Sequence, residues 1–433
     1  MKKITTMLLA LTLIASPISI FAEADSNNSV ENTQNIRNQN IYVLTKDGVQ
    51  RATFEEAQKI ANLESYPLTN LTKSYLLGDY KSGKILESYN IDEVRPMAST
   101  SKLVGIFVVM DKISDGSLKK TDRVLIDHEA SSLTGSTYKL KENDTKTVDE
   151  LLTAAIVISG NDAITALGKH ISGSVEAFVS LMNKKCQDLG LKNAHMVNPT
   201  GLTNYAIEDY NKMTTREMFI LARELIKKHP DILEYTTIDK IEEVDRNFKE
   251  FSTNPLLGIV HGIDGLKTGY TNAAGRCLIA TGKTDGIEGQ TLDTRLIGIT
   301  TGSNNDMERF VAAKKLMEDG LKKYKYTIIG NPDESVSEYE FEESSKPAKI
   351  YERDSKAVLW DSKSEITRKI EIDKNLKAPI GAGEVVGTIT YLINGTEILK
   401  NELIVKERVT QKGLIYKIKS ICEDIFLNLN KAA

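Results

Sequence analysis

The chain has 433 residues, 40% hydrophobic and 27% charged, with a formal net charge of −4. That length exceeds what one domain usually needs, and the balance is that of a globular protein, so two folded units are expected. The acidic balance, with no basic stripe, argues against a nucleic-acid partner, and an odd set of cysteines, Cys186, Cys277 and Cys422, argues against a disulfide-stapled scaffold.

Lys2 and Lys3, an apolar run from Ile4 to Ile20 and the small-residue pattern Ala22-Glu23-Ala24 read as a secretory signal over residues 1–24, cleaved after Ala24. Residues 25 to about 40 are rich in Asn, Ser and Gln, which cannot bury enough surface to order themselves, and the whole of 25–70 is expected to be a lead-in or linker. The text from Ser74 to Tyr89 predicts a hairpin around Lys81-Ser82-Gly83-Lys84. After Pro96, a helix is expected to start near Ser99, with Leu103, Ile106, Phe107, Met110 and Ile113 at helical spacing and Gly116 at its end. The capping box Thr147 to Glu150 opens a helix to about 158 that is apolar nearly all round and therefore buried.

Further helices are expected at about 175–189 and 214–228, and strands at 265–268, 276–281 and 295–300. Helix-rich text between flanking strands implies one sheet covered by helices, assigned to residues 71–330. Short alternating strands around the Asn394-Gly395 turn then predict a small β domain over 340–405. Residues 406–433 are assigned to a membrane-associating amphipathic helix, whose pattern from Gly413 places Leu414, Ile418, Ile421, Ile425 and Phe426 on one face. Six Lys or Arg stand there against three Asp or Glu, a local excess that favours an anionic lipid surface over a bilayer span.

Ser99 and Lys102 lie three residues apart, which on a helix brings a hydroxyl and an amine within reach of each other. A serine hydroxyl needs a base, and a lysine serves only when neutral. Bringing it from about 10.4 to about 7 requires a penalty of roughly 4 to 5 kcal/mol on its charged form, which burial and a second cation can supply. Lys267 is the candidate second cation. Ser159-Gly160-Asn161 follows the buried helix, and Lys267-Thr268-Gly269 lies on an expected strand, so three polar triplets stand in fixed order beside apolar elements. No metal or other cofactor is expected, because the five histidines are scattered and no His-Glu-x-x-His occurs.

Ser-x-x-Lys, Ser-Asp-Asn and Lys-Thr-Gly form the set shared by penicillin-binding proteins and class A β-lactamases; here the middle member is Ser-Gly-Asn. With Arg95-Pro96-Met97-Ala98 ahead of Ser99, Asn198-Pro199-Thr200-Gly201-Leu202, and Asp264-Gly265-Leu266 ahead of Lys267, the chain resembles the low-molecular-mass penicillin-binding proteins that are D-alanyl-D-alanine carboxypeptidases, peptidase family S11. The resemblance covers roughly 71–405. It implies an α+β catalytic domain with an antiparallel sheet flanked by helices, then a small β domain and a membrane-associating amphipathic helix. It also implies Ser99 as nucleophile, Lys102 as base, Ser159 as proton relay and Asn161 as a holder of the substrate amide. Lys267, Thr268, Gly269 and Tyr270 would complete the substrate site, with the backbone N–H groups of Ser99 and Tyr270 as the oxyanion hole. The implied partners are the peptidoglycan stem peptide, β-lactam antibiotics as covalent inhibitors, and the outer face of the cell membrane.

Two rivals share the triplets. A β-lactamase needs an extra carboxylate to activate its deacylating water, and no Glu-x-x-Leu-Asn follows Asn161; a non-catalytic penicillin-binding scaffold has no need of the complete set of catalytic positions found here. A Ser-His-Asp esterase is disfavoured because no Gly-x-Ser-x-Gly occurs.

Overall fold

The computed structural model describes residues 40–361 and 364–432. The secretory signal expected at 1–24 lies outside the described residues. A five-stranded antiparallel sheet runs in the order Ile263–Thr271, Gly275–Thr284, Thr294–Ser303, Ser74–Asp79, Ile85–Tyr89. Successive side chains of a strand point to opposite faces, so each central strand serves two cores. Leu76, Ile279, Ile297 and Ile299 join one cluster, while Leu77, Leu278, Ala280 and Leu296 join the other.

The first cluster is built with the helices Lys102–Ser114, Val148–Val157, Asn161–Ser172, Val175–Asp188 and Thr215–Lys228. Two of these carry complete capping boxes, Thr147 with Glu150 and Thr214 with Glu217, which satisfy N–H groups that a helix start otherwise leaves open. Helix Asp306–Lys323 covers the opposite face through Phe310, Val311, Leu316 and Met317.

The lead-in expected over 25–70 is corrected by the structure. Tyr42–Thr45 and Gly48–Arg51 form a hairpin, Phe54–Glu64 is a helix, and Val43, Ile60 and Leu71 enter the second core. The helix escapes a pattern reading because it buries only Ala57 and Ile60, too few positions to set a period. Helices Asn161–Ser172 and Asp306–Lys323 were likewise not anticipated.

A second antiparallel sheet, in the order Ser335–Tyr339, Ala348–Glu352, Thr396–Val405, Val385–Ile393, Ile366–Ile372, has its own core around Ile350, Val386, Ile389 and Leu403. Strand Lys356–Asp361 leaves that unit to pair with Tyr324–Ile329. The boundary of the β domain at 405 is also corrected, while the helix expected from Gly413 is found. Val409 is buried in the β-unit core and pairs with Ile380, and Gln411 bridges to Ser344. The helix itself is Leu414–Ala432.

Candidate active site

Ser99 lies in a 3-10 turn, Ala98–Ser101, that runs straight into helix Lys102–Ser114. The turn sets the two side chains one above the other, and Lys102 Nζ stands 2.8 Å from Ser99 Oγ. Lys102 is fully buried and donates also to Asn161 Oδ1 and the Thr200 carbonyl, each at 2.7 Å. Asn161 begins the next helix, and its Nδ2 donates to the Thr134 carbonyl at 2.7 Å. The loop offering that carbonyl is held by Asp162, whose carboxylate accepts from the N–H groups of Tyr138 and Leu140. Thus the middle triplet fixes the cleft edge as well as Lys102.

Close backbone packing allows this convergence. Gly201 has φ +82°, and a Cβ there would come within 2.0 Å of the Ala98 carbonyl oxygen, so only glycine lets the Thr200 carbonyl reach Lys102. A Cβ on Gly269 would lie 3.0 Å from Ser99 N and 2.9 Å from Thr100 N, which brings strand Ile263–Thr271 against the Ser99 turn. Ala98 and Ser159 both hold positive φ without being glycine, at 49° and 63°. Each such residue costs about 1–3 kcal/mol and persists only where its surroundings enforce it. Ser159 Oγ is buried and has no hydrogen-bond partner.

Burial holds Lys102 well below the usual lysine range, and the neighbouring Lys267 cation pushes it further down against the opposing pull of Asp162. Lys267 is itself brought to about 7, first by burial and then by the Arg309 cation. Lys267 Nζ donates to the Thr268 carbonyl at 3.0 Å, and Thr268 Oγ1 donates to Thr253 Oγ1 at 2.7 Å. All three triplets therefore meet at one cleft, whose lining includes Ser99, Ser159, Asn161, Thr268, Gly269 and Tyr270. A buried hydroxyl–amine pair with a cation at the far end can attack a carbonyl whose substrate carries a terminal carboxylate.

The same cleft contains side chains that the sequence reading did not single out: Thr253, Asp306 and Arg309. Arg309 Nη2 donates to Asp306 Oδ1 at 2.6 Å, while Arg276 reaches Asp306 Oδ2 at 3.1 Å and stacks 3.3 Å from the Tyr270 ring centroid. Nothing in the local text marks Arg309, because a charged residue in an amphipathic helix reads as surface. Cys277 is a free thiol buried on its strand against Ala98 and Ala274, and Cys186 is also a buried free thiol.

The family model for D-alanyl-D-alanine carboxypeptidase matches residues 60–292, and that for the C-terminal domain of penicillin-binding protein 5 matches 352–411. The D-alanyl-D-alanine carboxypeptidase DacF of Bacillus subtilis is 30% identical over 369 residues, covering 82% of this chain and 90% of that one. DacC of Escherichia coli is 31% identical over 80% of this chain and 86% of its own. Among solved structures, penicillin binding protein 5 of Haemophilus influenzae is 29% identical with a TM-score of 0.58, over 79% of this chain and 98% of that one. Penicillin-binding protein D2 of Listeria monocytogenes in its ampicillin-bound form is 31% identical with a TM-score of 0.51, over 57% and 97%. With its triplets gathered at one cleft and both family models matched in order, the chain belongs to the D-alanyl-D-alanine carboxypeptidase family of low-molecular-mass penicillin-binding proteins.

Proposed function

We propose that Ser99 attacks the carbonyl of the penultimate D-alanine of a peptidoglycan stem peptide while Lys102 takes its proton, and that the tetrahedral intermediate expels terminal D-alanine to leave an acyl-enzyme on Ser99. The observation that carries this reading is the 2.8 Å contact between Lys102 Nζ and Ser99 Oγ in a site where burial and Lys267 hold the amine well below the usual lysine range. Ser159, whose buried hydroxyl has no other partner, passes a proton to the leaving nitrogen. Asn161 holds Lys102 through Oδ1 and offers its remaining Nδ2 hydrogen to the substrate amide. Lys267 and Thr268 take the terminal carboxylate, with Arg309 adding charge behind them. The N–H groups of Ser99 and Tyr270, flanking the close approach at Gly269, stabilise the developing oxyanion. Water then releases the shortened peptide.

β-Lactams occupy the same cleft and acylate Ser99. The chain is exported by its residues 1–24 and lies on the outer face of the membrane through the helix Leu414–Ala432. The test is fluorescent-penicillin labelling with mass spectrometry, together with assay of D-alanine release from a peptide ending in D-Ala-D-Ala. Wild type acquires one penicilloyl group on Ser99 and releases D-alanine, and Ser99→Ala does neither. Full labelling of Ser99→Ala would sink the assignment.

A further inference from the structure

Beside the cleft lies a second cavity of about 270 Å³ that shares three wall residues with it, Thr253, Asp306 and Arg309. The rest of its lining is Val43 and Leu44 from the first strand, Pro255, Met307 and Phe310, with Glu56 at one side. Val43, Pro255 and Phe310 are buried. Glu56 Oε2 is engaged by the Thr53 N–H and hydroxyl, both at 2.8 Å, in the cap of its own helix. The chamber therefore offers mainly apolar surface, in an open recess of about 270 Å³ against about 290 Å³ for the cleft beside it. It has room for one side chain.

Its position selects which side chain. Thr268 bonds Thr253 at 2.7 Å, and Arg309 Nε is buried with no partner, so the cationic end of the cleft and the chamber meet at a common wall. A carboxylate held at that wall belongs to the leaving residue, whose own side chain branches from the adjacent carbon. Val43, Leu44 and Glu56, which belong to its lining, precede the stretch matched by the carboxypeptidase family model, which begins at residue 60.

We infer that this chamber is the side-chain pocket for the leaving residue, so that the enzyme releases apolar D-residues of methionine size as well as D-alanine. The inference rests on the reading of the neighbouring cleft as the D-Ala-D-Ala site. It makes Val43 and Leu44 specificity-determining residues for that reaction.

The experiment compares kcat/KM of the mature chain on two otherwise identical peptides, ending in D-Ala-D-Ala and in D-Ala-D-Met. A pocket that accepts the longer side chain keeps the second within about tenfold of the first, since single methylenes are worth about 10- to 200-fold in such sites. Val43→Trp narrows the chamber and lowers D-methionine release relative to D-alanine release by about tenfold or more, on the same scale, with the melting temperature reporting whether the core that holds Val43 is intact. Leu44→Trp fills it from the other side should Val43→Trp fail to fold, as judged by labelling and melting temperature. A wild-type D-methionine rate more than about 100-fold below that for D-alanine overturns the inference, as does equal loss on both peptides in both variants. Failure of wild type to release even D-alanine sinks the reading of the cleft itself and the inference with it.

Discussion

Asn161 Oδ1 accepts from Lys102 Nζ at 2.7 Å, and that contact orients the amine. An ammonium has three donors and no acceptor, whereas a neutral amine has two donors and a lone pair. As an ammonium Lys102 fills all three contacts, to Ser99 Oγ, Asn161 Oδ1 and the Thr200 carbonyl, while the Ser99 hydroxyl donates to the Thr200 carbonyl at 3.2 Å. A neutral amine that keeps the two carbonyls has its lone pair left for Ser99. The contacts that satisfy the buried amine also hold it within reach of the Ser99 hydroxyl.

Asn161→Asp tests this directly. The substitution keeps the shape but sets an anion 2.7 Å from Nζ, which favours the charged lysine and raises its pKa. Penicillin acylation at pH 7 should fall and should recover as pH rises, because only the neutral lysine can take the Ser99 proton. A variant that acylates at the wild-type rate with an unchanged pH profile would remove Asn161 from the positioning of Lys102.

The depressed Lys267 has a consequence for stability. Its folded value of about 7 lies below the ordinary 10.5, so between those values the unfolded chain binds more protons than the folded one, and stability rises with pH across that window. Below pH 7 the full penalty applies, about 5 kcal/mol at 1.36 kcal/mol per unit. Lys267→Met removes it, and by removing a cation beside Lys102 it relieves that residue too. The variant should therefore melt higher than wild type at pH 7, with the gap closing towards pH 10, while losing turnover of carboxylate-bearing peptides. Melting curves at pH 7, 8.5 and 10 decide it: a variant less stable at pH 7, or a gap that widens with pH, contradicts the assignment of a penalised buried cation.

What the sequence made legible follows from where each signal is written. Ser99 with Lys102, Ser159 with Asn161, and Lys267 with Thr268 are short contiguous units, and the apolar helices behind them fix which way each unit points. Arg309 and Thr253 carry no such signal: they reach the cleft from a helix and a loop that the tertiary fold brings beside Lys267 and Thr268. The segment Tyr42–Glu64 was taken for linker because polar text precedes it and its helix buries so little. Its value to the fold lies in long-range contacts, such as Gly48 lying against Phe251, where a Cβ would come within 2.8 Å of the ring. The β-unit boundary was set at 405 because the last clear strand ends there, whereas the single apolar residue that extends the core, Val409, follows three charged residues.

That boundary dictates how membrane association must be tested. Leu414, Ile415, Ile418, Ile421, Ile425 and Phe426 are all more than half exposed on a 19-residue helix, an apolar surface with no counterpart elsewhere among the described residues. No described helix is long and apolar enough to cross a membrane. At about 1.5 Å per residue the helix extends roughly 28 Å, enough to lie in an interface with its lysines towards anionic headgroups. Cutting after Val405 would also remove Val409 and Gln411 from the β unit and confuse unfolding with release. Removal of 413–433 leaves both in place. The full chain should sediment with vesicles containing anionic lipid, less with zwitterionic ones, and less again at high salt, where surface charges are screened. The shortened chain should stay in solution while its penicillin labelling is unchanged. Equal sedimentation of the two chains would assign the membrane contact to some other surface.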